Sequence, residues 1–339
     1  MMKTKTSLAD IAREANVSIA TVSKVITGNF NSIRVSAATA QRVKEIAERL
    51  NYSPNINARV LAGKSLKMIG ILVDSQPSPI TFSLIAHIEK CAADAGYRIM
   101  IGQAHNSPEK LFECFCRFQQ YSVDGMIVLA HEYPGHEEQI KSYFSHCKRT
   151  VMVGENYIPE LPAVIINRQN AVIQAVAALQ SSGRKRIGIC HHADSELYFG
   201  SRGVANTLRT LIGPEHFYTC LQVEDNNTMQ KSMTDVIENF ILPEKLDAIF
   251  VPNDLHGAAL LQQLPRYDIR VPEDVAVIGW DNEPFSSFLQ PGLSTVDECV
   301  QKQAQAAFAL LKEEMDNAQI QEPARRRTIE AEFIQRGSV

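Results

Sequence analysis

The sequence predicts an all-α helix-turn-helix head joined to an α/β body of two doubly wound parallel-sheet lobes. The first observation is length, because 339 residues with 45% hydrophobic composition exceed what one core normally organises. The second is that residues 7–50 show helical periodicity alone. The third is that short apolar runs alternate with helical segments from Lys67 onward, and the alternation begins again after residue 166.

The head begins with two short helices separated by a tight turn. Ser7 is a favourable N-cap for a helix that extends to Ala15, and Asp10 completes a capping pair at the positive end of the helix dipole. Ser18 caps the second helix, which we predict over 19–27. So brief a connection predicts a helix-turn-helix rather than an ordinary helical hairpin, since small residues at the crossing permit close approach.

A third helix is predicted from its cap at Ser36 to Leu50. Its apolar residues recur at helical spacing, so three helices share one small core. The predicted core residues of the head are Leu8, Ile11, Ala12, Ala15, Val22, Val25, Ile26, Val43, Ile46, Ala47 and Leu50.

The charge of the chain is unevenly distributed. Through Lys67 there are eleven Lys and Arg against four Asp and Glu, a net charge of +7. Because the whole chain carries −4, the remainder carries −11. A basic head on an acidic body is typical of a protein that contacts nucleic acid with one end.

Cysteine usage and hydropathy indicate a cytoplasmic protein. The seven cysteines lack regular spacing, and Cys114 and Cys116 are separated by one residue, the wrong spacing for a zinc knuckle. We expect all seven to be reduced thiols. There is no apolar run of membrane-spanning length and no apolar stretch near the N-terminus that would act as a secretory signal, so no membrane association is expected.

The head also carries a dense motif. The segments SLADIA at 7–12, VSIATVSKVI at 17–26 and NYSPN at 51–55 resemble the signature of the LacI (lactose repressor) family of transcription regulators. The similarity continues more weakly to the C-terminus. Two features depart from the family pattern: Lys24 stands where the family usually has arginine, and the loop before Val35 is a few residues longer.

The resemblance implies that the second helix enters the major groove of operator DNA. Ile19 and Ala20 would make apolar contacts with base edges, and Lys24 would donate to guanine, although an ammonium lacks the planar fork of arginine. Hydroxyl side chains would bind phosphates or cap helices, or do both. The full predicted set of DNA-binding residues is Ser7, Leu8, Ser18, Ile19, Ala20, Thr21, Ser23, Lys24, Arg34, Ser36, Thr39, Tyr52, Asn55 and Leu61.

Residues 55–62 form a short segment after Pro54 that permits a helix. Eight residues are too few for a stable isolated helix, so a partner must order it. By resemblance it is a hinge helix that pairs with its copy in the minor groove, where Leu61 would wedge between base pairs. The alternative is that Leu61 packs at a domain junction.

The body resembles a periplasmic sugar-binding protein, in which the chain crosses between two lobes three times. We place the crossings near Ile166, Thr295 and Ala324. The predicted domains are a head at 1–51, a hinge helix and linker at 52–66, a first lobe at 67–165 with 297–325, and a second lobe at 166–296 with 326–339.

Ligands of doubly wound sheets bind beyond the carboxyl ends of the strands. By resemblance, Arg202, Asn253 and Asp281 form a polar trio that binds effector hydroxyls, which suits a sugar or polyol. Trp280 is either a core residue or a stacking face for a sugar ring, and Asp254 is expected to cap the next helix.

The remaining candidates in the body are weaker. Asp74 completes the predicted effector-binding set, with Ser75 and Glu155 as further strand-end residues of the first lobe. His191 and His192 could line the rim, but adjacent residues on an extended chain point apart, so no metal site is expected.

Two function classes compete with a regulator. An enzyme is not supported, because the chain lacks a glycine-rich phosphate loop, a nucleophile elbow and a His-Glu metal motif, and no cofactor is expected. A periplasmic or secreted solute-binding protein would share the body, but the basic head and the missing signal argue against it.

We therefore expect a sequence-specific DNA-binding regulator that acts as a homodimer on a pseudo-palindromic operator. Repression of carbohydrate-utilisation genes, lifted by a small sugar-like effector, is the favoured function; corepression and activation are the alternatives within the family. The helix predicted at 80–95 is a candidate dimer surface, and a small core helix is the alternative interpretation.

Overall fold

The computed structural model describes residues 6–27, 35–52, 65–73, 79–129, 133, 135–144, 147–154, 158–192, 199–213, 217–220, 226–316 and 325–339. The chain forms two compact units, Met1–Leu66 and Lys67–Val339. The first is all-α, and the second contains two six-stranded sheets with helices between their strands. The predicted fold class is confirmed.

The first unit contains the helices α1 (Leu8–Ala15), α2 (Ile19–Thr27) and α3 (Ala37–Arg49). Its core is confirmed, since Ile11, Val22 and Val43 are fully buried and Leu8, Ile26 and Leu50 pack partly buried around it. The first helix ends where Asn16 adopts a left-handed backbone (φ 51°), which turns the chain toward α2.

The first lobe of the second unit is built on one parallel sheet. Its strands are β1 (Met68–Val73), β2 (Arg98–Gln103), β3 (Gly125–Leu129), β4 (Thr150–Gly154), β5 (Ala163–Asn167) and β11 (Arg326–Glu330), in the spatial order β11-β5-β4-β3-β1-β2. Its helices are α4 (Pro79–Asp94), α5 (Pro108–Gln120), α6 (Glu137–Phe144) and α11 (Val300–Met315). β1 is the first of the apolar runs that follow Lys67, and it is buried from Ile69 to Val73, as expected for a strand covered on both faces.

The second lobe repeats this plan. Its strands are β6 (Ile187–His192), β7 (Phe217–Cys220), β8 (Ala248–Phe250), β9 (Ala276–Trp280), β10 (Ser294–Asp297) and β12 (Glu332–Ile334), in the order β12-β10-β9-β8-β6-β7. Its helices are α7 (Gln169–Ser181), α8 (Phe199–Ile212), α9 (Asn226–Val236), continued by a π turn (Ile237–Ile241) and a last turn (Leu242–Glu244), and α10 (Asp254–Gln263). Short 3₁₀ turns follow at Leu264–Tyr267 and Pro284–Phe288. All strand pairs described in this sheet are parallel except β10 with β12.

The third crossing between the lobes differs from the prediction. The predicted crossing near Ala324 would assign 326–330 to the second lobe, but these residues form β11, which pairs with β5 in the first sheet. The chain crosses at Ala331 instead, and β12 then pairs with β10 in the second sheet. The physical reason is that two short strands lie one residue apart on different sheets, which no pattern in a single segment reveals.

The helix predicted at 80–95 is present as α4. Its residues Leu84, Ile85 and Ile88 are buried in the first-lobe core with α11, whereas Phe82 is 60% exposed. The helix is therefore a core element, and its role as a dimer surface stays a prediction.

The six cysteines described with their side chains are free thiols. Burial raises the pKa of Cys91 and Cys114, and it raises that of Cys147 to about 12, which keeps these thiols protonated and weakly nucleophilic. No helix in the described parts of the chain has both the length and the hydropathy to cross a membrane.

Candidate functional site

The candidate DNA-contacting face lies on α2. Val22 and Val25 point into the head core with 0% and 3% exposure, whereas Ile19 is 52% exposed and Ala20 is exposed beside it. Because a large exposed aliphatic side chain contributes nothing to the head core, Ile19 is available to a partner. The exposure leaves both residues free of the core, and their contact with base edges stays a prediction.

The hydroxyl groups at the start of α2 both cap the helix and face solvent. The amide N–H of Thr21 donates to Ser18 Oγ at 3.1 Å, and the two hydroxyls lie 2.9 Å apart. An exposed helix N-terminus carries partial positive charge, so phosphate oxygens can join these groups. Ser23 and Lys24, further along α2, are half-buried and make additional contacts within the protein.

The other two head helices start in the same way. At α1, Ser7 Oγ accepts from the Asp10 amide at 3.3 Å while Asp10 Oδ2 accepts from the Ser7 amide at 3.0 Å, so the predicted capping box is confirmed. At α3, Ser36 Oγ accepts from the Thr39 amide at 3.2 Å. Both serines are exposed, which leaves them accessible to phosphate.

Leu8 and Tyr52 have a packing role. Both are half-buried against the head core, and burial raises the pKa of the Tyr52 hydroxyl. Any contact that they make with DNA would therefore use the edge of a side chain that already supports the core. Arg34, Asn55 and Leu61, also predicted to contact DNA, lie outside the described residues.

In the second lobe, the carboxyl ends of β8, β9 and β10 bring together residues that are far apart in the sequence. Asp254 lies at the centre of this edge, fully buried. Its Oδ1 accepts from the Thr295 hydroxyl at 2.6 Å, and its Oδ2 accepts from the Glu283 amide at 2.8 Å. The carboxylate thus joins the start of α10 to β10 and to the loop that follows β9.

The prediction that Asp254 caps α10 is wrong. Asn253 is the cap: its Oδ1 accepts from the His256 amide at 3.0 Å and lies 2.7 Å from His256 Nδ1. The side-chain oxygen of Asn253 is thus engaged by the helix, and the side-chain NH2 group is the part open to a ligand.

Gly279 permits the burial of Asp254. A Cβ atom on this residue of β9 would overlap the Asp254 carboxylate and would lie 2.9 Å from Leu293 Cδ2. The lack of a side chain therefore lets the carboxylate pack against the strand. Burial raises the Asp254 pKa to about 6, although the Thr295 and Glu283 hydrogen bonds and the charge of Arg336 oppose the increase.

Asp281 is the candidate effector ligand whose carboxylate is uncommitted. Its backbone is left-handed (φ 99°), as is that of Asn282 (φ 50°), and its amide donates to the Val296 carbonyl at 2.9 Å. Burial, with nearby Glu298, Asp254 and Glu283, raises its pKa well above the ordinary value. No hydrogen bond to a described residue engages this carboxylate.

Trp280 is held from both sides. Its ring packs partly buried against two core clusters of the lobe, and its Nε1 donates to Glu298 Oε1 at 2.9 Å. Between its two predicted roles, the structure supports a core position. Any contact with an effector would use the part of the ring that is left open.

Several candidate ligands have side chains that the structure does not describe. Asp74, Ser75 and Glu155 lie outside the described residues. Arg202 is on α8, and His191 and His192 end β6, but the side chains of these three residues are not described. Within the described residues, no group of three or more His, Cys, Asp or Glu is arranged to hold a metal ion.

Sequence reasoning missed four residues at this edge: Arg168, Thr295, Glu298 and Arg336. Arg336 donates to Ser286 Oγ at 2.9 Å and to the Leu293 carbonyl at 2.7 Å, which joins the end of the chain to the Asp254 region. Glu298 pairs with Arg168, a residue 130 positions earlier. The available signal was β10, because its recognition as a strand would have placed Thr295 on the strand and Glu298 just past its end.

Comparison with known proteins supports the architecture. Residues 7–55 match the model of bacterial regulatory proteins of the lacI family, and residues 176–339 match that of the periplasmic binding protein-like domain. Among solved structures, the lac repressor dimer bound to operator and the anti-inducer ONPF superposes with a TM-score of 0.85 at 20% identity, covering 99% of each chain. The CelR–cellobiose complex superposes with a TM-score of 0.66 at 22% identity, covering 99% of this chain and 100% of the other.

Curated relatives extend along nearly the full length. Catabolite control protein A of Priestia megaterium is 28% identical, covering 94% of this chain and 97% of its own. The HTH-type transcriptional repressor CytR of Escherichia coli (strain K12) is 30% identical over 349 residues, covering 99% of this chain and 97% of its own. This chain therefore belongs to the lacI family of bacterial regulatory proteins, which are DNA-binding transcription regulators.

Proposed function

We propose that the protein is a homodimeric repressor that binds a pseudo-palindromic operator and releases it when a small sugar-like effector binds the body. We also propose that it acts in the cytoplasm, has no catalytic activity and is divided into a head at 1–51, a linker at 52–66 and two lobes. The first lobe comprises 67–167, 298–316 and 325–330, and the second comprises 168–297 and 331–339.

The observation that carries the DNA-binding half is the exposed face of α2. Ile19 and Ala20 lie at the start of a helix whose other face is buried, and exposed hydroxyl caps begin all three head helices. Base edges accept apolar and hydrogen-bonding contacts from such a helix, and phosphates accept the caps. The net charge of +7 through Lys67 supplies attraction to the phosphate backbone.

The effector half rests on the strand ends of the second lobe. Asp281 presents an uncommitted carboxyl group, and Asn253 presents the amide group that its helix does not use. A carboxyl group and an amide together match hydroxyls that both donate and accept, as in a sugar. Related structures contain ligands of this class, including the CelR–cellobiose complex and an Arthrobacter regulator with lactose.

The comparison with repressors supports repression as the mode of control. CytR and PurR are named as transcriptional repressors, and the lac repressor is in complex with operator and an anti-inducer. An effector that favours the arrangement with lower DNA affinity lifts repression, and one with the opposite preference acts as a corepressor. The operator affinity with and without effector distinguishes the two.

The DNA-binding proposal is tested by selecting duplexes from a random pool with the full chain. We expect enrichment of a two-fold symmetric site whose half-sites lie about one helical turn apart. Lys24→Ala should relax the base preference at one position of each half-site, whereas Lys44→Ala, on the exposed face of α3, should not. Failure to enrich any symmetric duplex would contradict the proposal.

The effector proposal is tested by a thermal-shift screen with lactose, cellobiose, galactose and ribose, followed by operator binding with each compound that stabilises the protein. We expect at least one to raise the melting temperature and weaken operator binding. The variant Asp281→Ala should abolish the shift, whereas Asp268→Ala, an exposed residue of the same lobe, should retain it. If no compound stabilises the protein, the carbohydrate assignment is wrong and the DNA-binding proposal is unaffected.

A further inference from the structure

The three segments that cross between the lobes are bonded to one another. Asn167 in the first crossing donates to the Glu330 carboxylate in the third at 3.0 and 3.1 Å, and its carbonyl accepts from the Ala331 amide at 2.9 Å. Lys302, just after the second crossing, pairs with Glu332 just after the third at 2.6 Å. Asn167 and Glu330 are partners within the first sheet, whereas Lys302 of the first lobe and Glu332 of the second are joined across the crossings. A change in the angle between the lobes should therefore alter the Lys302–Glu332 pair.

The least exposed ion pair among the described residues joins the first crossing to the second. Arg168 Nε lies 2.6 Å from Glu298 Oε1, and its Nη2 lies 3.2 Å from Oε2, with side chains only 18% and 14% exposed. Two parallel bonds between planar groups fix orientation as well as distance. Because both groups are largely removed from water, the loss of either partner leaves a poorly solvated charge.

The same carboxylate holds Trp280. Glu298 Oε1 accepts from the indole Nε1 at 2.9 Å, so one oxygen serves both the first crossing and the last residue of β9. Burial alone would raise the Glu298 pKa, but the charge and hydrogen bonds of Arg168 and the hydrogen bond from Trp280 have the larger effect. The pKa therefore lies below its ordinary value, and the carboxylate stays ionised. Asp281 is the next residue along the chain, and both Glu298 and Arg168 influence its pKa.

We propose that Arg168 and Glu298 are positioning residues that couple the angle between the lobes to the effector-binding edge through Trp280. In the observed arrangement the pair holds the indole, and with it the left-handed turn at Asp281, in one orientation. A rotation about the crossings that separates Arg168 from Glu298 releases Trp280. Effector binding beside Asp281 and rotation of the lobes are then thermodynamically linked, so each shifts the equilibrium of the other. This inference rests on the proposed function.

Trp280 is the sole tryptophan of the chain, so tryptophan fluorescence reports directly on the contact between Trp280 and the Arg168–Glu298 pair. The probe is a symmetric duplex selected from a random pool by the full wild-type chain. Candidate DNA contacts belong to the first unit and Trp280 to the second, so a change in emission on adding the duplex reports coupling rather than contact. We expect the wild-type emission to change on saturation with the duplex.

Glu298→Gln keeps an acceptor for the indole but removes the ionic bond to Arg168. We expect it to lose most of the duplex-induced emission change and to alter duplex affinity by about fivefold or more. The matched control is Glu313→Gln, which breaks an ion pair inside the first lobe in which Arg327 Nη2 donates to both oxygens of the Glu313 carboxylate. It should preserve the emission change and the affinity.

A second variant protects the test against a failure to fold. Arg168→Gln with Glu298→Gln replaces the ion pair by a neutral amide pair, and it should show the same loss of emission change as Glu298→Gln alone. The inference is overturned if wild-type emission is unaffected by bound duplex, or if both variants respond like the wild type. The proposed function fails separately, if the wild-type chain selects no duplex.

Discussion

The exposed face of α2 and the strand-end edge of the second lobe use their candidate binding residues in different ways. On α2, Ile19 and Ala20 have no part in the core, and their removal would leave the head intact. At the strand ends, Asn253 caps a helix, Trp280 is bonded to Glu298 and Asp254 is buried. On α2 the side chains that would bind DNA are different from those that form the core. At the strand ends of the second lobe the same side chains contribute to both folding and the proposed binding.

The difference has an energetic side. Exposed hydroxyls such as Ser18 exchange water for phosphate at little cost, so their binding function carries no penalty for folding. The carboxylate of Asp254 is buried, and its hydrogen bonds to Thr295 and Glu283, together with the charge of Arg336, offset the cost of removing it from water. Substitutions at the edge should therefore affect stability first, and substitutions on the face of α2 should affect DNA affinity first.

The largest expected effect is that of Gly279→Ala. The added methyl group overlaps the Asp254 carboxylate and crowds Leu293, so we expect a loss of about 3 kcal/mol in the free energy of unfolding of the body. The measurement is urea unfolding followed by far-UV circular dichroism. Gly292→Ala is the control, because the nearest atom to its added methyl group lies at 3.6 Å. Equal stability of the two variants would contradict the packing described for Asp254.

The next effect is a pH dependence caused by Asp254. Burial raises its folded-state pKa from 3.8 to about 6, so the native state retains its proton longer than the unfolded state and loses stability as pH rises through this window. Relative to Asp254→Asn, wild type should lose about 2 kcal/mol of unfolding free energy between pH 4 and pH 7. The measurement is urea unfolding at each pH. Asp268→Asn, an exposed control, should follow the wild-type profile, and a wild-type difference that is flat with pH would refute the assignment.

The substitution Ile19→Ala should affect DNA affinity and leave the stability of the head unchanged. Because the side chain is 52% exposed, unfolding free energy should change by less than about 0.5 kcal/mol, while affinity for the selected duplex should fall roughly tenfold. Ile173→Ala removes a comparably exposed isoleucine (41%) from the second lobe and should leave affinity unchanged. Fluorescence anisotropy with a labelled duplex measures the DNA affinity of both variants. If Ile19→Ala bound the duplex with wild-type affinity, α2 would not be the reading helix.

The smallest effect concerns Ser7, which caps α1 and is also proposed to contact DNA. Ser7→Ala removes the capping box of α1 and should cost about 1 kcal/mol of head stability, measured by hydrogen exchange of the head amides. Gln41→Ala, which loses an exposed bond to Glu45, should cost less than about 0.5 kcal/mol. Unchanged exchange in Ser7→Ala would show that the cap does not stabilise the helix, and its hydroxyl would then serve DNA alone.

The head was predicted almost completely because its signals are local. Caps at Ser7, Ser18 and Ser36 lie within three residues of the amides that they accept, and the apolar spacing determines the buried face. The body strands were found where apolar runs are long, as at β1, but β10 and β12 were not identified because they are short and partly polar. The identity of the α10 cap was also missed, since Asn253 and Asp254 are equally suited to capping by composition.

The sequence by itself determined the fold class, the membership of the head in its family and the face of α2 that is left exposed. Each depends on spacing within a few turns of chain, which hydrophobic periodicity and helix capping dictate. Only the tertiary structure decided that the third crossing lies at Ala331, that Asp254 is buried beneath Gly279 and that Arg168 pairs with Glu298. These contacts join residues that are far apart in the sequence, and the order of strands in the two sheets, rather than any local pattern, brings them together.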